Sequence, residues 1–184
     1  MHKGAEEFSF LSPEKIVAAA GVHEGMRVAD FHAGAGFVAR AAARAVGQSG
    51  VVWAVDANRD LLARLKSTAE LEGLPSIEIV RGNIERYSGT FLPDESMDIV
   101  FLVNALFTCE NKDGAVGEAW RVLKKNGRLA VVDWQGSFDG LGPHPTHVVS
   151  EPEAKKLLVR GGFLPAEPLP AGAFHWGLLR RKKP

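Results

Sequence analysis

The chain has 184 residues, 46% of them hydrophobic and 24% charged. That length and balance describe one globular domain with a core of ordinary size. Lys and Arg number 22, as do Asp and Glu, so the formal net charge is zero and gives no clear nucleic-acid or anionic-membrane signal.

Cys109 is the only cysteine and cannot close an internal disulfide. The start, Met1-His2-Lys3-Gly4-Ala5-Glu6-Glu7, lacks the apolar stretch of a signal peptide. The apolar runs fall well short of the ~20 residues a membrane helix needs. These features predict a cytoplasmic protein with no membrane span. The basic run Arg180-Arg181-Lys182-Lys183 reads as a solvated terminus, with a phosphate-contacting tail as the alternative.

The whole chain, 1–184, reads as a single domain, with residues 1–25 as an N-terminal helical extension. Ser12-Pro13-Glu14 opens its helix, Ser as cap and Pro in the first turn, and Gly21 stops it. Met26–Phe31 reads as the first strand and His32–Gly36 as a Gly/Ala loop. Phe37–Val46 follows as an Ala-rich helix ended by Gly47. Val51–Asp56 is an apolar run ending in an acid, as suits a strand buried on both faces. Asn58 caps a helix carrying Leu61, Leu62, Leu65 and Leu71. Strands are expected at 77–80, 97–103 and 128–133, with a helix over 112–123 between the last two. Ser150 and Glu153 have capping-box spacing at the head of a helix to Arg160. Two closing strands are expected, one at Phe163-Leu164 and one over 174–179. Pro165, Pro168 and Pro170 place the first of them at a sheet edge.

Alternating strands and helices argue for βαβ units and a mostly parallel sheet. The closing pair has no helix between its members and should form an antiparallel hairpin. In such sheets ligands bind beyond the carboxyl ends of the strands. That places attention on Asp30-Phe31-His32-Ala33-Gly34-Ala35-Gly36-Phe37. Gly34 and Gly36 let the backbone approach a ligand, and the helix that follows offers free N–H groups. Asp56 comes 20 residues after Gly36, and its carboxylate can accept from both hydroxyls of a ribose. A tight strand–helix turn that binds nothing is the plain alternative.

From Met26 onward the chain resembles the class I methyltransferases that use S-adenosylmethionine, in particular the ubiquinone/menaquinone-type and related small-molecule enzymes. Residues 28–36 resemble the family's first motif, an acid ending strand one followed by a loop of alternate glycines. Asp56, with Ala57 beside it, matches the ribose-binding acid. Gly82-Asn83-Ile84 matches the segment whose polar residue meets the adenine amino group while the apolar one covers the ring. Residues 98–100 resemble the start of strand four. Residues 118–129, Glu118 to Leu129, resemble the helix–turn–strand segment of the small-molecule enzymes. The resemblance implies a Rossmann-like α/β fold, a seven-stranded mostly parallel sheet with helices on both faces and an antiparallel C-terminal hairpin strand. It implies S-adenosylmethionine as cofactor, held by Asp30, His32, Ala33, Gly34, Gly36, Asp56, Ala57, Asn83, Ile84 and Asn104.

Two positions depart from the pattern. The family's first loop glycine is His32 here, which leaves open a contact to the cofactor or a weakened site. The family's adenine-binding Asp is Asn83, whose carbonyl oxygen still accepts.

The acceptor is expected near the ends of strands four and five. Asn104 follows strand four, as a cofactor contact or a turn residue. Trp134 and Gln135 follow strand five; Trp134 is an acceptor wall or a core residue. Asp133, His144 and His147 are the candidate bases, with Asp133 alternatively a hydrogen-bonded loop acid. His144 and His147 flank Pro145 in a stiff loop, and no Cys, His or Asp cluster beside them suggests a metal. Cys109 has no His partner to make it a nucleophile. The resulting expectation is methyl transfer to a small molecule, with a homodimer possible. The rivals are a non-catalytic methyltransferase-like binding module and an NAD-dependent oxidoreductase.

Overall fold

A computed structural model describes residues 11–183. The reading of residues 1–7, and the first ten residues of the expected helical extension, lie outside the described residues.

Among the described residues thirteen regular elements follow the expected alternation. Helix α1 (Pro13–Ala19) is capped by Ser12, whose side chain accepts from Lys15 N–H. Strand β1 (Arg27–Phe31) leads through the glycine loop into α2 (Phe37–Val46). Strand β2 (Val51–Asp56), α3 (Arg59–Leu71) and β3 (Ile77–Arg81) complete the first half. The second half runs β4 (Met97–Val103), α4 (Lys112–Val122), β5 (Leu123–Trp134), a short 3₁₀ turn (Pro145–His147), α5 (Glu151–Arg160), β6 (Glu167–Pro168) and β7 (His175–Arg181). Ser150 and Glu153 form the full capping box at the head of α5.

The strands make one seven-stranded sheet in the order β3-β2-β1-β4-β5-β7-β6. The pairs β3–β2, β2–β1, β1–β4 and β4–β5 are parallel, while β7 runs antiparallel to both β5 and β6. One apolar cluster joins α1, α2 and Leu65 of α3 to Val28, Val52, Ile99, Phe101 and Val132. The other joins α4 and α5 to Ala29, Phe31, Leu102, Val131 and Leu178. The sheet is therefore covered on both faces. This is why β4 is apolar along nearly its whole length instead of alternating.

Three sequence expectations need correction. Strand β5 begins at Leu123, not Arg128: Met97 pairs with Leu123, and the register shifts before Ile99 pairs with Arg128. The polar run Lys124-Lys125-Asn126-Gly127 is a kink within the strand, with Asn126 at φ 62°. The edge strand is Glu167–Pro168, not Phe163-Leu164; Phe163 instead makes a lone antiparallel bridge to Lys182. The prolines still lie at the edge, because Pro168 belongs to the outermost strand. Lastly, the basic terminus is half buried. Arg180 donates to the carbonyls of Leu164 and Lys155, and Lys182 Nζ donates to Leu123 O at 2.7 Å and lies 4.0 Å from the Trp120 ring centroid. Alternate side chains of β7 turn inward, so a run of four cations splits between core and solvent.

Candidate functional site

The glycine loop continues β1 beyond its last paired residue. His32 N–H and Ala33 N–H both donate to Val55 O, at 2.9 and 3.0 Å, tying the loop to the end of β2. Its backbone is left-handed at every second residue: φ is 67° at His32, 54° at Gly34 and 77° at Gly36. That alternation is the physical reason for glycines two apart, since a Cβ is disfavoured in this region. Gly36 is needed for a second reason. A Cβ there would stand well inside van der Waals contact of Leu65 on α3, whereas one on Gly34 would meet only His32 O, at 3.9 Å. Gly36 also caps α2 without any side-chain hydrogen bond to the helix start.

Asp56 closes the loop from the side. Its Oδ2 accepts from Gly34 N–H at 2.9 Å and its Oδ1 from Asn58 N–H at 2.8 Å. The carboxylate is 4% exposed, and Ala57 beside it is exposed. His32 Nδ1 lies 3.9 Å from Asp56 Oδ2. Asp30 sits at the end of β1 at 2% exposure. Burial pushes its carboxyl up to about 7, opposed by the Ala39 N–H and reinforced by the Asp56 charge. Its Oδ2 has no hydrogen-bond partner. Asn104, with φ 52°, follows β4, and its N–H donates to Val132 O at 2.8 Å. Its buried Oδ1 also lacks a partner. Asn83 Oδ1 accepts from Glu85 N–H at 2.8 Å, while Ile84 and Ala33 are each buried to 8% exposure. The structure thus brings the loop, Asp30, Asp56 and Asn104 to the adjoining carboxyl ends of β1, β2 and β4.

Two buried oxygens without partners are costly in an apolar interior unless a ligand supplies donors. S-adenosylmethionine carries ribose hydroxyls, an ammonium and an adenine amine, all donors, so these residues fit it.

The acceptor-side candidates separate. Asp133 is fully buried; Trp134 N–H donates to its Oδ1 at 2.8 Å and Phe107 N–H to its Oδ2 at 3.2 Å. Burial raises its carboxyl to about 6 against those backbone donors and the charge of Lys112. Its bonds fasten the β4–α4 loop to the end of β5. The Trp134 ring lies 4.2 Å from that of His175, tilted by 40°, and Gly142 lies so close that a Cβ would fall 2.8 Å from the indole. His144 is exposed and shares a 2.8 Å hydrogen bond with Thr146. His147 lines a hollow of about 810 Å³ between the β4–α4 loop and α5, together with Phe107, Thr108, Cys109 and Lys156. The hollow begins three residues beyond Asn104. None of the glycine-loop residues lines it. Burial pushes the Cys109 thiol up to about 12, and its Sγ lies 3.2 Å from Ala105 O, so it is inert as a nucleophile. Among the described residues no group of three or more His, Cys, Asp or Glu could hold a metal.

Sequence reasoning missed His175, buried at the start of β7 with neither ring nitrogen bonded. Its signal was a histidine within an apolar strand, which periodicity alone treats as core. It also missed Phe107 and Thr108, whose role depends on the loop path after β4.

The family model described as a methyltransferase domain matches residues 29–131, which include the glycine loop, Asp56, Asn83 and Asn104. The chain belongs to this methyltransferase family. Among relatives, it is 32% identical over 127 residues to the ubiquinone/menaquinone biosynthesis C-methyltransferase UbiE of Laribacter hongkongensis, covering 69% of this chain and 50% of that one. It is also 32% identical over 127 residues to the UbiE of Bordetella avium, covering 69% and 48%. The chain spans about half the length of these curated relatives. A crystal structure of an S-adenosylmethionine-dependent methyltransferase from Aquifex aeolicus superposes with a TM-score of 0.84 at 27% identity, over 94% of this chain and 90% of that one. The superposition covers more of this methyltransferase chain than the family-model match does.

Proposed function

We propose that the chain transfers the methyl group of S-adenosylmethionine to a small-molecule acceptor. The observation that carries this reading is the pair of unpartnered buried oxygens, Asp30 Oδ2 and Asn104 Oδ1, at the strand ends flanking the left-handed loop. In this reading Asp56 takes the ribose hydroxyls, Asn83 and Ile84 the adenine, and residues 32–36 with Asp30 and Asn104 the methionine portion. The sulfonium of the bound cofactor supplies the activated methyl. The chain's own work is then to hold the acceptor in line and exclude water, which lowers the barrier by several kcal/mol on the order of an effective-molarity effect.

The hollow beside the β4–α4 loop is the place for that acceptor. Its wall begins at Phe107 and Thr108, three residues along the chain from Asn104, and His147 gives it an imidazole that can accept a proton from an oxygen, nitrogen or carbon acid. His144 is engaged with Thr146 and Asp133 with backbone N–H groups, so His147 is the better placed of the three candidates. The free, buried Cys109 supports a reducing compartment such as the cytoplasm. Among the described residues no helix is long and apolar enough to cross a membrane.

The test is calorimetric titration with S-adenosylmethionine and S-adenosylhomocysteine, followed by a screen of acceptors for S-adenosylhomocysteine release. Micromolar binding and turnover with at least one acceptor support the reading. Failure to bind either compound removes it.

A further inference from the structure

We propose that a protonated His32, standing where the loop would otherwise carry a glycine, competes with the ribose of either compound for Asp56 and in addition repels the sulfonium, so that it weakens binding of the cationic S-adenosylmethionine more than that of S-adenosylhomocysteine. The inference rests on the cofactor reading above and concerns the one loop position where this chain departs from glycine.

The loop is left-handed at residues 32, 34 and 36, and glycine occupies the latter two. A histidine in that conformation is held against its preference, so surrounding structure determines its place. The imidazole is 40% exposed, and its Nδ1 stands 3.9 Å from Asp56 Oδ2. Asp56 has little capacity to spare. Gly34 N–H already occupies one lone pair of Oδ2, and Asn58 N–H one of Oδ1. Ribose hydroxyls would need the remainder. A charged imidazole beside Oδ2 claims part of it by ion pairing, which a neutral ring does not.

Two carboxylates stand on this side of the loop: Asp56 at the end of β2, its Oδ2 3.9 Å from His32 Nδ1, and Asp30, buried at the end of β1, whose charge interacts with that of Asp56. Among the described residues His32 has no other ion pair. A cation in a glycine's place also repels a sulfonium lying against the loop, but not the thioether left after transfer. With His32 protonated the site would therefore favour product over substrate.

The experiment is calorimetry of the wild-type protein and His32→Gly with both compounds at pH 6 and pH 8. Glycine suits the left-handed position, so this variant relieves backbone strain. The wild type is expected to lose S-adenosylmethionine affinity from pH 8 to pH 6 by at least threefold more than His32→Gly, the scale of one exposed ion pair. Loss of S-adenosylhomocysteine affinity should be smaller. In parallel, the His32 ring proton signal in NMR should titrate at lower pH once S-adenosylmethionine is added. An unchanged slope in His32→Gly, weaker binding by that variant at both pH values, or an unmoved NMR midpoint overturns the proposal while leaving the cofactor site intact. No binding by either protein overturns the cofactor reading, and this inference with it.

Discussion

Asp56 holds Gly34 across the end of the sheet: its Oδ2 accepts the Gly34 N–H at 2.9 Å from a position 22 residues further along the chain. The bond joins the loop after β1 to the end of β2, so the residue proposed to take the ribose also shapes the loop proposed to hold the methionine portion. Asp56→Ala should therefore damage binding twice. It removes a buried carboxylate that serves two backbone donors, each worth ~1.5–3 kcal/mol. Calorimetry should show S-adenosylhomocysteine binding weakened at least tenfold, and a thermal melt should show a lowered midpoint. A full-affinity Asp56→Ala protein would remove Asp56 from the site.

The two loop glycines should fail differently. Gly36→Ala drives a Cβ into Leu65 at φ 77°, and overpacking plus backbone strain should cost ~2–4 kcal/mol of stability. Gly34→Ala meets open space at φ 54°, so its folding cost should be ~1 kcal/mol, while the added methyl fills the surface the cofactor would touch. Urea denaturation and calorimetry on both variants separate the effects. Equal stability losses would show that the Leu65 contact carries no weight.

These differences mark what sequence can and cannot convey. Glycine spacing, the strand-ending acids Asp30 and Asp56, and the proline-rich edge are local signals, so they located the loop and put the prolines at the sheet edge, while the edge strand itself formed at Glu167–Pro168 and not at the expected Phe163-Leu164. The start of β5 escaped because Lys124-Lys125-Asn126-Gly127 has the composition of a turn, yet a register shift against β4 lets the strand absorb it. The inward turn of Arg180 and Lys182 escaped because the acceptors, the carbonyls of Leu164, Lys155 and Leu123, are distant in sequence. For Asp133 the residue was visible as a candidate, but its attachment to Phe107 N–H depends on the folded path of the loop.

Asp30 should make the protein less stable as pH rises. Burial pushes its folded carboxyl up to about 7 from the ordinary 3.8, so between those values the folded state binds more protons than the unfolded one. Stability is then lost as pH climbs through that window, up to ~4 kcal/mol once the buried group is charged. Asp30→Asn should be more stable than wild type at pH 8, with the advantage shrinking towards pH 4. Urea midpoints at several pH values report it. A wild type and variant that differ equally at pH 4 and pH 8 would contradict the buried, ionisable Asp30.

His175 acts in the opposite direction. Burial lowers its imidazole from 6.5 to about 4, so the unfolded chain binds more protons between those values and stability falls as pH drops through them. The full penalty is ~3 kcal/mol below pH 4. His175→Leu should flatten this acid-side loss while leaving the Asp30 effect above it. If the acid-side slope persists in His175→Leu, another group carries it.

Glu118 should prove the costliest single residue outside the site. Its carboxylate is 1% exposed and accepts from Ser88 N–H, Thr90 N–H, Thr90 Oγ1 and two nitrogens of Arg121, at 2.6–3.1 Å. Burial works to raise its carboxyl, yet the Arg121 and Thr90 hydrogen bonds outweigh it and hold it below the ordinary range. This cluster fixes the segment between β3 and β4 to α4, and so holds the strand that leads to Asn104. Glu118→Ala would leave the Arg121 guanidinium, 8% exposed, without its principal partner, at ~3–5 kcal/mol. Glu118→Gln keeps an acceptor oxygen for Thr90 and should cost less. Urea denaturation of the two variants checks the order. If alanine costs no more than glutamine, the cluster contributes packing alone and the charge pair is not what anchors α4.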